Sequence, residues 1–277
     1  MRATELLGLI ISFGAAVVLA PPALRALAGG RLAQENYRGV TLPFPAGTVI
    51  VAAAALALVP LTVLSELLDV HVFRPQARAI AVYALGVAFL GLFDDMLAGD
   101  ARCWRGHGAA VLRGGLSTGA LKAAGSLGFA LFALAGEGLS SGRYLLGAGV
   151  LVLATNLFNL LDLRPGRSYK AFVLLGAGLT LGTLDANPLA ALGLFVGPVL
   201  LVGIYDVRER AMLGDTGSNV IGALAGLWIV LSFGVTGQAI ALAVILAVTI
   251  YGEFRSISAL VERTPLLRQL DSLGRPA

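Results

Sequence analysis

The sequence predicts an all-α integral membrane protein, a polytopic bundle of about nine transmembrane helices. Three observations carry this reading. The 277 residues are 57% hydrophobic and only 13% charged, whereas soluble domains carry about 25% charged residues. Mean hydropathy is +0.87. Apolar runs recur along the whole chain, most near the ~20 residues needed to cross a bilayer core.

The runs cover 4–28, 46–68, 77–96, 119–136, 143–161, 169–184, 188–205, 217–234 and 237–254. In the first, Pro21-Pro22 is expected to kink or end the helix near its inner end. Connections at 137–142, 185–187 and 235–236 are short, and those at 29–45, 97–118 and 206–216 are long. The chain reads as a single transmembrane domain, 1–277, closing in a basic amphipathic tail over 255–277 with Leu260, Leu266, Leu267, Leu270 and Leu273. There are 36 glycines. Gly178 and Gly182 have the four-residue spacing for close helix approach, and glycine-rich spans permit a homodimer.

Basic residues set the orientation. Of the 20 Lys and Arg, all except Arg2, Arg74, Arg78 and Arg143 fall on one side of the bundle. Positive charge stays cytoplasmic, which places the N-terminus outside and the C-terminus in the cytoplasm, in the cell inner (plasma) membrane. Reading 1–28 as a cleaved leader ending at Ala26-Leu27-Ala28 would reverse that asymmetry and is set aside. The net charge of +4 lies in loops, which fits topology control and anionic ligands rather than nucleic acid. Cys103 is the only cysteine, so no intramolecular disulfide forms.

Three acidic motifs end or open apolar runs on the expected cytoplasmic face. Gly91-Leu92-Phe93-Asp94-Asp95 closes the third. Neighbouring residues on a helix point about 100° apart, so one acid can ligate a metal while the other orients it or binds a second group. Asn156, Asn159 and Asp162 form a stripe at three-residue spacing in the fifth. Such a stripe needs partners in the bundle or a ligand. The following turn carries Arg164 and Arg167, suited to phosphate or simply to inside-positive charge. Gly214-Asp215-Thr216-Gly217-Ser218-Asn219 opens the eighth. Its backbone N–H groups are candidates for an anion, and Asp215 for a metal ligand or an N-cap. Asn36, Tyr37 and Arg38 occupy the first long loop, and Lys122 lies just inside the fourth run, where its ammonium binds phosphate or snorkels. Carboxylates are costly beside hydrocarbon, and holding a divalent cation against a phosphate is an economical use of them.

With these residues in view, the chain resembles the polyprenyl-phosphate N-acetylhexosamine-1-phosphate transferase superfamily. That group includes the phospho-N-acetylmuramoyl-pentapeptide transferase and the N-acetylglucosamine-1-phosphate transferases. The resemblance covers roughly 36–254 and rests on Phe93-Asp94-Asp95, on the run Asn156 to Asp162, and on Gly214-Asp215-Thr216-Gly217-Ser218. It implies a cytoplasmic cleft, Mg²⁺ (or Mn²⁺), a nucleotide-sugar donor (usually a UDP-sugar) and a polyprenyl phosphate acceptor such as undecaprenyl phosphate. The product UMP would leave, in cell-envelope glycan synthesis. By position, Asp215 and Asp95 would hold the metal and Asp94, Asp95 and Asp162 would be catalytic. Asn156, Asn159, Lys122, Arg164, Arg167, Asn36 and Arg38 would bind substrate.

The chain departs from the family pattern at four places. The second acid expected after Asp162 is Pro165. Met96, Leu97 and Ala98 stand where a lysine often follows the aspartate pair. Residues 253–277 hold no histidine, where the family has a histidine-rich motif. The amphipathic tail stands where the family has a tenth span. These changes bear on donor recognition more than on metal and phosphate. They leave open a catalytically silent relative that binds lipid phosphate or nucleotide as a scaffold. A transporter is the third class, and no internal repeat supports it.

Overall fold

A computed structural model describes residues 3–30, 32–97 and 118–276. Of the residues used for the orientation, Arg2, Arg31, Arg102, Arg105 and Arg113 lie outside them, as does Cys103. A short 3-10 turn, Ala3–Leu6, leads into α1, Leu7–Ala28. A two-stranded hairpin follows, β1 (Gln34–Glu35) against β2 (Thr41–Leu42), with Gln34 opposite Leu42. Then come α2 (Gly47–Leu67), α3 (Ala77–Leu97), α4 (Thr118–Leu134), α5 (Ser141–Leu161) and α6 (Arg167–Thr183). The remaining helices are α7 (Asn187–Val207), α8 (Gly214–Ser232), α9 (Val235–Phe254), α10 (Ile257–Arg263) and α11 (Pro265–Ser272).

Among the described residues, α1 to α9 coincide with the nine apolar runs. Six of them, α1, α2, α3, α5, α7 and α9, are long and apolar enough to cross a membrane. The helices α4 and α6 have 17 residues each. The helix α8 has 19 and opens on small polar residues. α1 continues through Pro21-Pro22 to Ala28, so the prolines do not end it.

The helix α8 is the axis of the bundle. Every residue from Thr216 to Ile229 is buried. That requires an all-round apolar and small-residue surface, which this segment has in Val220, Ile221, Ala223, Leu224, Ala225 and Leu227. It packs most extensively against α5 and α3, and α6 closes a third side. α1 packs on α7, α4 on α3, and α9 on α5.

Close approaches occur where glycine leaves room. A Cβ on Gly91 of α3 would lie 2.5 Å from the Asp215 carbonyl oxygen, and one on Gly47 of α2 would lie 2.1 Å from the Gly217 nitrogen. These two contacts seat the start of α8 against two other helices. Gly178 and Gly182 do not have this role within the chain, because a Cβ at either meets nothing within 4 Å. The chain before α2 also joins the chain before α8 through backbone hydrogen bonds. Ala46 and Gly47 donate to the carbonyls of Met212 and Leu213 (2.8 and 2.9 Å), and Met212 donates to Pro43 (3.0 Å).

Candidate functional site

The ends of α3, α5 and α7, the start of α8 and the hairpin loop enclose an open cavity of about 610 Å³. Five aspartates line it: Asp94, Asp95, Asp162, Asp206 and Asp215. Tyr37, Arg164 and Pro165 stand among the other lining residues.

The start of α8 is built around Asp95. Its Oδ1 accepts the Asp215 N–H (2.8 Å), and its Oδ2 accepts the Thr216 N–H (2.9 Å) and hydroxyl (2.6 Å). The first turn of a helix has N–H groups without internal partners, and a carboxylate there satisfies them and suits the helix dipole. The anion at this helix start is therefore supplied by the protein itself. Asp215 makes no side-chain cap on its own helix, and its carboxylate faces α3, α4 and α5 instead.

Asp215 meets three neighbours. Its Oδ1 accepts from Asn159 Nδ2 at 2.8 Å, and its Oδ2 accepts from the Lys122 ammonium. That ammonium also donates to Asp94 Oδ2 at 3.2 Å. The carboxyl groups of Asp94 and Asp215 face each other, with Lys122 between them. Asn159 Nδ2 reaches Ser218 Oγ as well (3.1 Å). Four helices, α3, α4, α5 and α8, thus converge on one charged cluster, half-buried at the cavity. Asp95 is largely occupied with α8, so the acid that faces Asp215 is Asp94.

Oxygen donors on opposed helices suit a hard cation. Mg²⁺ is commonly held by one or two carboxylates, with substrate phosphates and water completing the shell. Asp94 and Asp215 fit that arrangement, and the Lys122 ammonium shows that the cluster accommodates positive charge.

Asp162 and Asp206 form the other acidic wall. Asp206, 3% exposed, accepts the Gly166 N–H at 2.6 Å and so fixes the turn after α5. Gly166 sits at φ +73°, and a Cβ there would come 2.4 Å from Val207 Cγ2. Asp162 is pushed well above the usual carboxylate range, first by burial and then by the charges of Asp206, Asp215 and Asp95. The sequence reading passed over Asp206. The signal that found the other acids was present there too, since Asp206 lies at the end of the apolar run of α7.

The rim is organised by the hairpin loop. Asn36 is buried and uses its Oδ1 to accept from Arg38 N (2.9 Å) and Val40 N (3.0 Å), while its Nδ2 donates to Glu209 (3.3 Å). Tyr37 donates to Glu209 at 3.0 Å, and Arg38 Nε donates to Tyr37 Oη at 2.8 Å. Glu209, in the left-handed region at φ +52°, is the hub of this loop and had no distinguishing mark in the sequence. The Arg164 guanidinium stacks over the Tyr37 ring at 4.4 Å, at the cavity mouth.

Two candidate residues are placed elsewhere. Asn156 lies a turn deeper in α5 and does not line the cavity; Lys122 and Asn159 do not line it directly either but contact Asp94 and Asp215, which do. Arg167 is 7% exposed, and its guanidinium is engaged by the tail: Nε and Nη2 donate to Asp271 (3.0 and 3.1 Å), and Nη1 to Ser258 (3.0 Å). Its task is to anchor the tail, which removes it from direct phosphate contact. Arg275 pairs with Asp271 (2.8 Å) and donates to the Pro165 carbonyl (2.8 Å). Burial works to raise the Asp271 carboxyl, but Arg167 and Arg275 outweigh it and hold the group below the usual range.

The chain matches no protein-family model and no curated protein.

Proposed function

We propose that this chain is a divergent sugar-1-phosphate transferase of the polyprenyl-phosphate type, with nine spans and the cavity on the cytoplasmic face. The observation that carries the reading is the meeting of Asp94, Lys122, Asn159 and Asp215 from four helices at one cavity. Those residues were singled out from separate motifs spread over more than 120 positions of sequence, and a scattered set of structural acids has no reason to converge.

The acceptor in this reaction is a lipid phosphate monoester. Its second pKa is about 6, so it is largely ionised at neutral pH and needs little general-base help. An oxygen of that phosphate attacks the sugar-bearing phosphorus of the donor. A new P–O–P bond forms to the lipid phosphate, the bond from that phosphorus to the UMP oxygen breaks, and UMP leaves with the electron pair. No net proton transfer is required. The barrier is the approach of one anion to another, so charge stabilisation and positioning carry the catalysis. Mg²⁺ held by Asp94 and Asp215 would neutralise charge on the diphosphate. Lys122, which bridges those two carboxylates, would turn its ammonium to the phosphate oxygens once the metal takes up the carboxylate charge. Asn159 orients Asp215. Arg164, held over Tyr37, faces the phosphates or the nucleotide from the rim. Asp95 keeps the α8 terminus, and with it Asp215, in register.

The test is a donor panel. Purified protein, undecaprenyl phosphate and Mg²⁺ are incubated with UDP-, CDP- and other nucleotide sugars, and nucleoside monophosphate release is scored. Release of UMP with at least one UDP-sugar is expected. No release across the panel, with lipid phosphate still bound, overturns the catalytic reading in favour of a scaffold.

A further inference from the structure

The tail has two unlike sides. On one, Asp271 holds Arg167, and the Lys170 ammonium donates to the backbone carbonyls of Asp271 and Leu273. The Pro276 carbonyl accepts from Arg38 at 3.2 Å, so this side reaches the cavity rim. On the other side, Leu266 and Leu270 stand at i and i+4 on one face of α11, and Leu273 follows directly after its last residue, Ser272. They are 66%, 36% and 67% exposed. A surface helix does not ordinarily keep its apolar stripe in water.

Connectivity says what lies beside that stripe. The membrane-length helix α9 ends at Phe254, itself 80% exposed, and only Arg255 and Ser256 separate it from α10. The tail therefore begins where hydrocarbon ends. It also carries exposed arginines, Arg255, Arg263 and Arg268, in a segment whose acids are only Glu262 and Asp271. Leucines along one face with arginines around them suit the headgroup layer of an anionic leaflet.

We propose that α10 and α11 form a membrane-surface clamp, with the leucine face of α11 set into the headgroup layer of the leaflet on the cavity side and anionic lipid strengthening the contact. The partner is a bilayer surface bearing anionic phospholipid. The inference does not depend on the transferase reading.

Spin labels on the full chain test it. With Cys103 replaced by serine, single cysteines are introduced as Leu270→Cys and Ser272→Cys. Both sites are solvent-facing in the isolated chain, so neither change disturbs the core. Each labelled protein is placed in nanodiscs of phosphatidylcholine, with or without phosphatidylglycerol. The expected result is loss of broadening by a water-soluble relaxation agent at position 270 but not at 272, with a larger loss when phosphatidylglycerol is present. Equal broadening at both positions in phosphatidylglycerol nanodiscs overturns the proposal, and so does shielding at 270 that grows with protein concentration, which marks self-association. Shielding that is identical with and without phosphatidylglycerol overturns the anionic preference.

Discussion

Asp95 of α3 accepts the backbone N–H groups of Asp215 and Thr216, at 2.8 and 2.9 Å, and so closes the open end of a helix whose Asp215 lies 120 residues later in the chain. The bond sets the position of Asp215 by holding its backbone, leaving its carboxylate free to face Asp94 and Lys122. Two adjacent aspartates thus divide the work, one building the start of α8 and the other facing Asp215 and Lys122 at the cavity.

Replacing Asp95 by alanine leaves those donors without an acceptor in a buried setting, at a cost on the order of 2 kcal/mol. The thermal unfolding midpoint in detergent is expected to fall and turnover to be lost with it. Asp94→Asn is expected to remove turnover with a smaller fall in the midpoint than Asp95→Ala, because Lys122 keeps its contact with Asp215 and no backbone donor is orphaned. Equal destabilisation by the two variants would contradict this division of labour.

Gly91→Ala puts a methyl group 2.5 Å from the Asp215 carbonyl oxygen. Backbone cannot move aside as a flexible side chain can, so a loss at the upper end of the ~1–3 kcal/mol typical of overpacking is expected, together with displacement of Asp215. Gly178→Ala, which meets nothing within 4 Å, is the matched control and is expected to be neutral or slightly stabilising. Chemical denaturation of the two proteins side by side measures the contrast.

Asp215→Asn keeps the size of the side chain but removes the charge that Lys122 and Asn159 address. Magnesium-dependent nucleotide release is expected to fall at least ~100-fold, as losses of electrostatic groups at reacting phosphates do. Single-turnover assay of the purified variant measures it. A variant with wild-type turnover removes Asp215 from the mechanism.

Tail docking has a predictable acid limit. The Asp271 carboxyl titrates below its ordinary value, because Arg167 and Arg275 outweigh burial. Its folded-state value therefore lies under the unfolded one of about 3.9. The stabilisation is complete above that unfolded value and is lost as pH falls through the lower folded one. At neutral pH the tail should stay protected in hydrogen exchange and open only in strong acid. Asp271→Asn leaves the 7%-exposed Arg167 without its carboxylate, at a cost on the order of 3 kcal/mol, and should open the tail at every pH.

Much of this arrangement was legible in the chain. The nine apolar runs match α1 to α9 closely, because hydropathy and length are local properties. The three acidic motifs were visible as costly residues at the ends of those runs. The roles within each motif were not. Nothing in Asp94-Asp95 says which acid turns toward the Asp215 backbone, since that depends on where α8 sits. Arg167 read as a phosphate ligand because its tail partner Asp271 is 104 positions away. The Gly178 and Gly182 pair had the expected spacing but faces outward, while the working contacts fall at single glycines, Gly47 and Gly91, whose neighbours lie on another helix. Asp206 carries the same mark, an aspartate at the end of an apolar run, but its partner Gly166 lies 40 positions away and gives it no local motif.

The pairing of Asp94 with Lys122, only 28 residues downstream, also bears on how the chain is made. During synthesis α3 is made well before α8 exists, so its two terminal acids have neither Asp215 nor its backbone amides to meet. The lysine of the very next described helix supplies a counter-charge within that interval. A nascent chain stalled after α4 is therefore expected to hold this one ion pair already, which a cross-link between positions 94 and 122 would detect.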